Sequence, residues 1–305
     1  MRCFYLVILI VFGGLFIQTS AYASMNIFAC EPEWGALARE IGGNQARVFV
    51  AISARQDPHN FRVTPDLVTA MRRADLVICS GASLEIGWLP TLLEKAGNPK
   101  IQPGNIGSIM AAELVHDLGK PISVNRSQGD MYPEGNPQIH LNPHNIEVVA
   151  AQLVDRMEDI DTEDAEYFQA RYGMFARKWQ MATTDWQQQA LALKGMRVVV
   201  DHASFTYLID WLGLVQVGTL EPKPGIPPTS SHLENLVQAL KKNPADAILR
   251  TPYDPVDAST WLSEKTGIPV IRLPFTVGGD KETTNLFMLF TRTIRLLKQA
   301  RHARQ

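Results

Sequence analysis

The sequence predicts an α/β protein of two lobes, each a parallel sheet flanked by helices, joined by one long rigid helix. Three observations predict this. Short β-branched runs alternate with segments of helical apolar spacing in the first part of the chain. A stretch from Glu163 to Leu193, rich in Ala, Gln, Glu and Arg, carries no breaker except Gly173. Beyond it the alternation of strand and helix resumes, and such alternation argues for parallel sheets covered on both faces.

The first 23 residues stand apart from this pattern. Arg2 gives a positive start, Cys3 to Phe16 is almost wholly apolar, and Ala21-Tyr22-Ala23 is a small-x-small site. They read as a secretory signal peptide cut after Ala23. The apolar run is shorter than the ~20 residues of a membrane span, and no positive cluster follows it. The residue directly after the cut is Ser24, not a cysteine, so a lipid anchor is not expected. An exported, periplasmic protein of about 280 residues remains.

Residues 25–30 form a short buried strand. Glu33 to Ile41 has helical spacing and stops at Gly42-Gly43. Arg47 to Ile52 is a second strand. Thr64 caps a helix from Pro65 to Arg73. Asp75 to Cys79 is a third strand, and Leu84 to Ala96 a helix. Residues 120–139 hold Pro121, Pro133, Pro137, Gly129 and Gly135 and form a long loop. Asn145 to Met157 is helical. A helix from Glu163 to Leu193 would be ~45 Å long, a stiff connector between halves.

In the second half, strands at Met196–Asp201, Leu214–Val217, Ala245–Leu249 and Pro269–Leu273 are followed by helices at Ser204–Leu212, Ser231–Lys241, Pro255–Thr266 and Thr283–Gln299. The division is therefore a signal peptide (1–23), an N-terminal lobe (24–160), a linker helix (161–194) and a C-terminal lobe (195–305). The architecture repeats, without a residue-level repeat.

Charge is balanced, Lys+Arg 29 against Asp+Glu 31, with no basic stripe to suit nucleic acid. No second apolar run spans a bilayer, so stable membrane insertion is not expected. The cysteines after the cut, Cys30 and Cys79, end the first and third strands. In a sheet ordered 2-1-3 those strands are neighbours ~4.8 Å apart, so a disulfide is possible; two buried thiols are the alternative.

Three histidines fall at sharp turns: Asp57-Pro58-His59, Gln138-Ile139-His140-Leu141-Asn142-Pro143 and Val200-Asp201-His202-Ala203. Their separations, 81 and 62 residues, exclude a local zinc-finger loop. His59 and His202 lie past the carboxyl ends of strands, where open parallel sheets bind ligands. Two lobes facing each other would enclose them in one cleft. A single histidine in a loop is more often a surface residue, and the set of three carries the reading.

Here the sequence resembles the cluster A-I substrate-binding proteins of metal-uptake ABC transporters, the zinc- and manganese-binding group. Glu40-Ile41-Gly42-Gly43-Asn44 is similar to their Ile-Gly-Gly-Asp/Asn turn, and Asp57-Pro58-His59 to their Asp-Pro-His motif. Thr64-Pro65-Asp66-Leu67, Ala74-Asp75-Leu76-Val77 and Gly81-Ala82-Ser83-Leu84-Glu85 resemble the blocks that follow. Gln138 to Pro143 is like their Asp-Pro-His-x-Trp-Leu-Asp-Pro block. Asp201-His202-Ala203-Ser204-Phe205-Thr206-Tyr207 resembles their His-x-x-Phe-x-Tyr block, and Glu221-Pro222 with Gly225-Ile226-Pro227-Pro228-Thr229 their Gly-x-x-Pro-Ser/Thr loop. The resemblance implies two α/β lobes on one long helix with the metal between them. It implies His59, His140 and His202 as metal ligands, delivery to a membrane permease, and a monomer.

The chain departs from the family at two places. Val277 stands where a fourth ligand, an aspartate, is common; Asp280, three residues on in a Gly-Gly loop, is the candidate, with Asp57 or water as alternatives. The His-rich loop of many zinc-specific members has no counterpart, since residues 117–139 hold no histidine. Three neutral imidazoles suit zinc, and also copper or nickel; manganese or iron would want more oxygen ligands. Zn2+ is therefore the expected cargo, with Mn2+ or Cu2+ as alternatives. A zinc-dependent hydrolase is the competing class, but no His-Glu-x-x-His helix, Gly-x-Ser-x-Gly elbow or P-loop occurs, and no enzyme is expected.

Overall fold

Strand order repeats in the two halves. The structure, a computed structural model, describes residues 24–119, 132–223 and 225–302. The signal-peptide reading and residues 120–131 of the long loop lie outside them. In the first lobe, β1 (Met25–Ala29), β2 (Ala46–Val50), β3 (Leu76–Cys79) and β4 (Ser108–Met110) form an all-parallel sheet in the order β2-β1-β3-β4. In the second, β5 (Arg197–Val200), β6 (Val215–Thr219), β7 (Ala247–Arg250) and β8 (Val270–Arg272) pair in parallel as β6-β5-β7-β8.

Nine helices of the described residues cover the sheets: α1 (Pro32–Gly42), α2 (Pro65–Arg73), α3 (Leu89–Ala96), α4 (Pro143–Ile160), α5 (Ala165–Ala190), α6 (Thr206–Leu212), α7 (Ser230–Lys242), α8 (Asp257–Thr266) and α9 (Leu286–His302). Alternation along β1 decides which face each residue serves. Phe28 and Cys30 pack with Leu67, Met71 and Leu92 under α2 and α3. Ile27 and Ala29 face the other way, into a core shared with α1, α4 and α5. That second core runs without a break into the second lobe, where it takes in Val198, Val200, Leu249 and Phe290.

Helix α5 spans 26 residues, about 39 Å at 1.5 Å per residue. Its buried stripe includes Phe168, Phe175, Trp179 and Trp186. Trp179 Nε1 donates to Pro143 O at the start of α4, and Trp186 Nε1 to Thr291 Oγ1 on α9. Trp179 also meets Phe287 and Phe290 edge-on. Each such aromatic pair adds about 0.5–1.5 kcal/mol beyond its buried area. The connector is thus packed into both lobes along its length. Among the described residues no helix is long and apolar enough to cross a membrane.

Two local features depart from the sequence reading. Strand β4 has three residues, too few to show an alternating pattern. Residues 84–88 form a turn rather than the first part of α3. There Gly81, Ala82 and Ser83 all take positive φ (76°, 47° and 67°), and the Glu85 carboxylate accepts from Ser80 N and Gly81 N. Pairing of Ala29 with Ile78 sets the next residues, Cys30 and Cys79, side by side, and they form a disulfide with Cα atoms 4.8 Å apart.

Candidate metal centre

The carboxyl edges of both sheets open onto one cleft. The loop after β2 carries His59. Trp88 Nε1 donates to Pro58 O, and Asp57 Oδ1 accepts from His59 N at 3.0 Å, so the turn is held on both sides. The same Oδ1 lies 2.7 Å from His59 Nδ1. His202 stands two residues past the end of β5, and its Nδ1 lies 2.7 Å from Oε2 of Glu221, just past β6. That Oε2 also accepts from Gly225 N. A carboxylate can only accept, so in each neutral ring Nδ1 carries the proton and Nε2 keeps its lone pair.

Both Nε2 atoms face the hydroxyl of Tyr132, His59 at 2.5 Å and His202 at 3.3 Å. The two imidazole rings stand 5.8 Å apart, nearly perpendicular. Histidines that hold metals show this arrangement: a carboxylate on one nitrogen fixes the tautomer and ring angle, and the other nitrogen is presented to the ion.

The cleft is a cavity of about 300 Å³ whose lining includes Asp57, His59, Asp201, His202, Glu221 and Asp254. Burial acts to raise the Asp57 carboxyl, but hydrogen bonds from the His59 ring and backbone, the His59 charge and Asn60 bring it down to about 2. Asp201 is pushed up to about 7, by burial first and then by Asp254 and Glu221. Burial also raises Asp254, partly offset by bonds from Thr251. A partly buried site where carboxylates raise one another's pKa favours a divalent cation, which would relieve that repulsion.

Two of the four expected ligands lie elsewhere. His140 is fully buried in the 3₁₀ turn Ile139–Leu141. Its Nε2 donates to Phe275 O at 3.0 Å. Its Nδ1 lies 3.1 Å from Glu33 Oε1, within ion-pair range but off the line of a hydrogen bond. Asp280 is held away from the cleft. Its Oδ1 accepts from Glu282 N, Thr283 N and Thr283 Oγ1, and its Oδ2 from Arg292 Nε. The Gly-Gly segment before it is tight rather than loose, since a Cβ on Gly279 would fall 1.8 Å from Pro274 O. Among the described residues, His59, His140 and His202 do not form one cluster of ligand atoms; the group that does, Cys30, Cys79 and Glu85, has its sulfurs in the disulfide.

A signal for the His140 placement lay in the sequence. Read back from its final proline, the block Asp-Pro-His-x-Trp-Leu-Asp-Pro falls without a gap on Asn136-Pro137-Gln138-Ile139-His140-Leu141-Asn142-Pro143. Pro137, Leu141 and Pro143 match, the histidine position falls on Gln138, and His140 falls on the tryptophan. Gln138 is buried, and its Nε2 has no hydrogen-bond partner. Tyr132 and Asp254 gave no comparable signal, because a lone tyrosine or acid in a loop is ordinary; Glu221 lay in a block similar to the family's, without a sign that its carboxylate meets His202.

Comparison with known proteins accords with the fold. At 23% identity over 92% of its length, the chain is similar to the zinc-binding lipoprotein AdcA of Streptococcus pneumoniae, of which it spans 57%. It thus covers little more than half of the curated relatives it matches first. At 22% identity it matches the metal ABC transporter substrate-binding lipoprotein ScbA of Streptococcus cristatus over 90% of both chains. The crystal structure of ZnuA superposes with a TM-score of 0.77 at 20% identity, over 91% of this chain and 99% of that one. A mutant of the laminin-binding adhesin Lmb from Streptococcus agalactiae gives 0.74 at 18% identity, over 91% and 99%. The profile of one family matches residues 27–300, almost all of the described chain, and the protein belongs to that family, the zinc-uptake complex component A, periplasmic.

Proposed function

We propose that this protein is the exported binding component of an ABC importer, capturing a divalent transition metal, zinc first, and delivering it to a membrane permease. The observation that carries this reading is the paired geometry of His59 and His202. Both rings turn Nε2 to a common point, and a carboxylate holds each Nδ1. In this reading His59 and His202 are ligands, Asp57 and Glu221 orient them, and His140 and Asp280 hold the structure. Two imidazoles in an oxygen-rich cleft suit the N/O coordination of zinc. The relatives named as zinc-binding support the same choice.

The reading includes cleavage after Ala23, residence in the periplasm, and action as a monomer. It divides the chain into lobes at 24–160 and 195–305 around a linker at 161–194. The shared core across α1, α4, α5 and α9 favours a small relative motion of the lobes. Manganese is the second reading, favoured by the four cleft carboxylates, Asp57, Asp201, Glu221 and Asp254.

Native mass spectrometry of the chain lacking residues 1–23, with zinc, manganese and copper in competition, tests the proposal. One zinc per chain, lost in His59→Ala and in His202→Ala, is the expected result. Preference for manganese would reverse the choice of metal. Zinc retained in both variants would overturn the site.

A further inference from the structure

The hydroxyl of Tyr132 stands where an ion between His59 and His202 would need its next ligand. The two carboxylates fix the protons on Nδ1 of each ring, so both Nε2 atoms offer lone pairs toward the same oxygen. The phenolic oxygen lies 2.5 Å from His59 Nε2 and 3.3 Å from His202 Nε2. A cation seated among the three atoms is approached by all of them at once. Zinc sits ~2.0–2.2 Å from nitrogen and oxygen ligands, which places two ligand atoms of a tetrahedral site ~3.3 Å apart. Tyr132 Oη is already 3.3 Å from His202 Nε2. The short contact to His59 has to open by less than an ångström to reach the same spacing.

Tyr132 is also fixed as a ligand should be. It is buried, it stacks on the His59 ring with centroids 5.9 Å apart, and it meets the His202 ring edge-on at 6.4 Å. From this geometry we infer that Tyr132 is a metal ligand, its phenolic oxygen completing a site with His59 Nε2 and His202 Nε2. The inference rests on the metal-binding reading above. On binding, the metal–oxygen bond forms as the phenolic proton leaves to solvent, and the hydrogen bond to His59 is replaced by coordination.

The test compares the chain lacking residues 1–23 with Tyr132→Phe, His59→Ala and His202→Ala. Zinc affinity is read by competition titration, and the visible spectrum is read after loading with Cu2+ alone. Tyr132→Phe is expected to weaken zinc binding more than about 10-fold, the least that losing even an outer partner of a ligand costs. The copper-loaded parent is expected to show a phenolate-to-copper charge-transfer band that the phenylalanine variant lacks. Unchanged or tighter zinc binding in Tyr132→Phe overturns the inference and makes Tyr132 a competitor for the site. A missing band in the parent, or one that survives the substitution, also overturns it. If both histidine variants lose zinc while Tyr132→Phe keeps it, only this inference fails. If the parent binds no zinc, or the histidine variants retain it, the site as a whole fails.

Discussion

His140 Nε2 donates to the carbonyl oxygen of Phe275 at 3.0 Å, tying the turn before α4 to the loop after β8. Phe275 has a φ of 66°, a backbone setting that costs a bulky residue roughly 1–3 kcal/mol. Its neighbour Thr276 donates from Oγ1 to Glu33 Oε2 at 2.5 Å, on α1 of the first lobe. The strained loop is thus fastened to the first lobe at two successive residues.

His140→Ala should therefore lower stability and spare the metal. It leaves a buried carbonyl unpaired and opens a void beside Trp34 and Phe275, a loss of about 2–4 kcal/mol. Chemical denaturation of the metal-free protein measures the first effect, and native mass spectrometry the second. Loss of zinc with unchanged stability would return His140 to the ligand set.

Asp280→Ala should behave alike in kind. Its carboxylate closes the turn to Thr283 and pairs with Arg292, so its removal costs about 1–3 kcal/mol. Zinc stoichiometry should not change. A zinc affinity reduced at constant stability would show that Asp280 reaches the ion.

The outer carboxylates should matter more for the metal than for the fold. Glu221→Gln replaces the acceptor on His202 Nδ1, and an amide can turn its NH2 toward the ring. Loss of such a partner lowers metal affinity about 10–100-fold. Isothermal titration with zinc reads this directly, and unaltered affinity would remove Glu221 from the site.

The lobes were legible because their strands are β-branched runs and their helices carry clear stops, such as Gly42-Gly43. His59 and His202 were legible for a topological reason, since both follow strand ends. His140 was misleading because it invites a register shifted by two: read without a gap from Pro143, the block's histidine falls on Gln138, and the His140 ring packs against Phe275. Tyr132 was invisible because its role depends on contacts with residues seventy or more positions away in each direction. Around Asp280, Gly278-Gly279 suggests freedom in the sequence, where the structure needs a glycine for close approach to Pro274.

The disulfide makes a separate prediction. Cys30 and Cys79 are 49 residues apart, and closing a loop of that length stabilises by about 4 kcal/mol in the chain-entropy account. The chain lacking residues 1–23, unfolded without reductant, should label no free thiol, and reduction should lower its denaturation midpoint. Two labelled thiols would show the pair unbridged.

The carboxyls of Glu31 and Glu85 meet beside that disulfide, both buried, and both accept from Ser80 N. Burial first, then repulsion from Glu85 and Glu33, drives Glu31 well above the usual carboxylate range. Burial lifts Glu85 to about 6, against the pull of its hydrogen bonds. A carboxyl whose pKa is higher in the folded chain holds protons that the unfolded chain gives up. Its contribution is therefore full below the ordinary value of 4.5 and is lost as pH rises through about 6. Asp57 works the other way, its stabilisation lost as pH falls from 3.8 through about 2. The two windows do not overlap, so the metal-free protein should lose stability between pH 4.5 and neutrality, through the glutamate pair and also through Asp201, which is raised from 3.8 to about 7. Glu85→Gln removes one member and should flatten that decline, as read by denaturant midpoints across the window. An unchanged slope in the variant would mean that Glu85 does not titrate in this window.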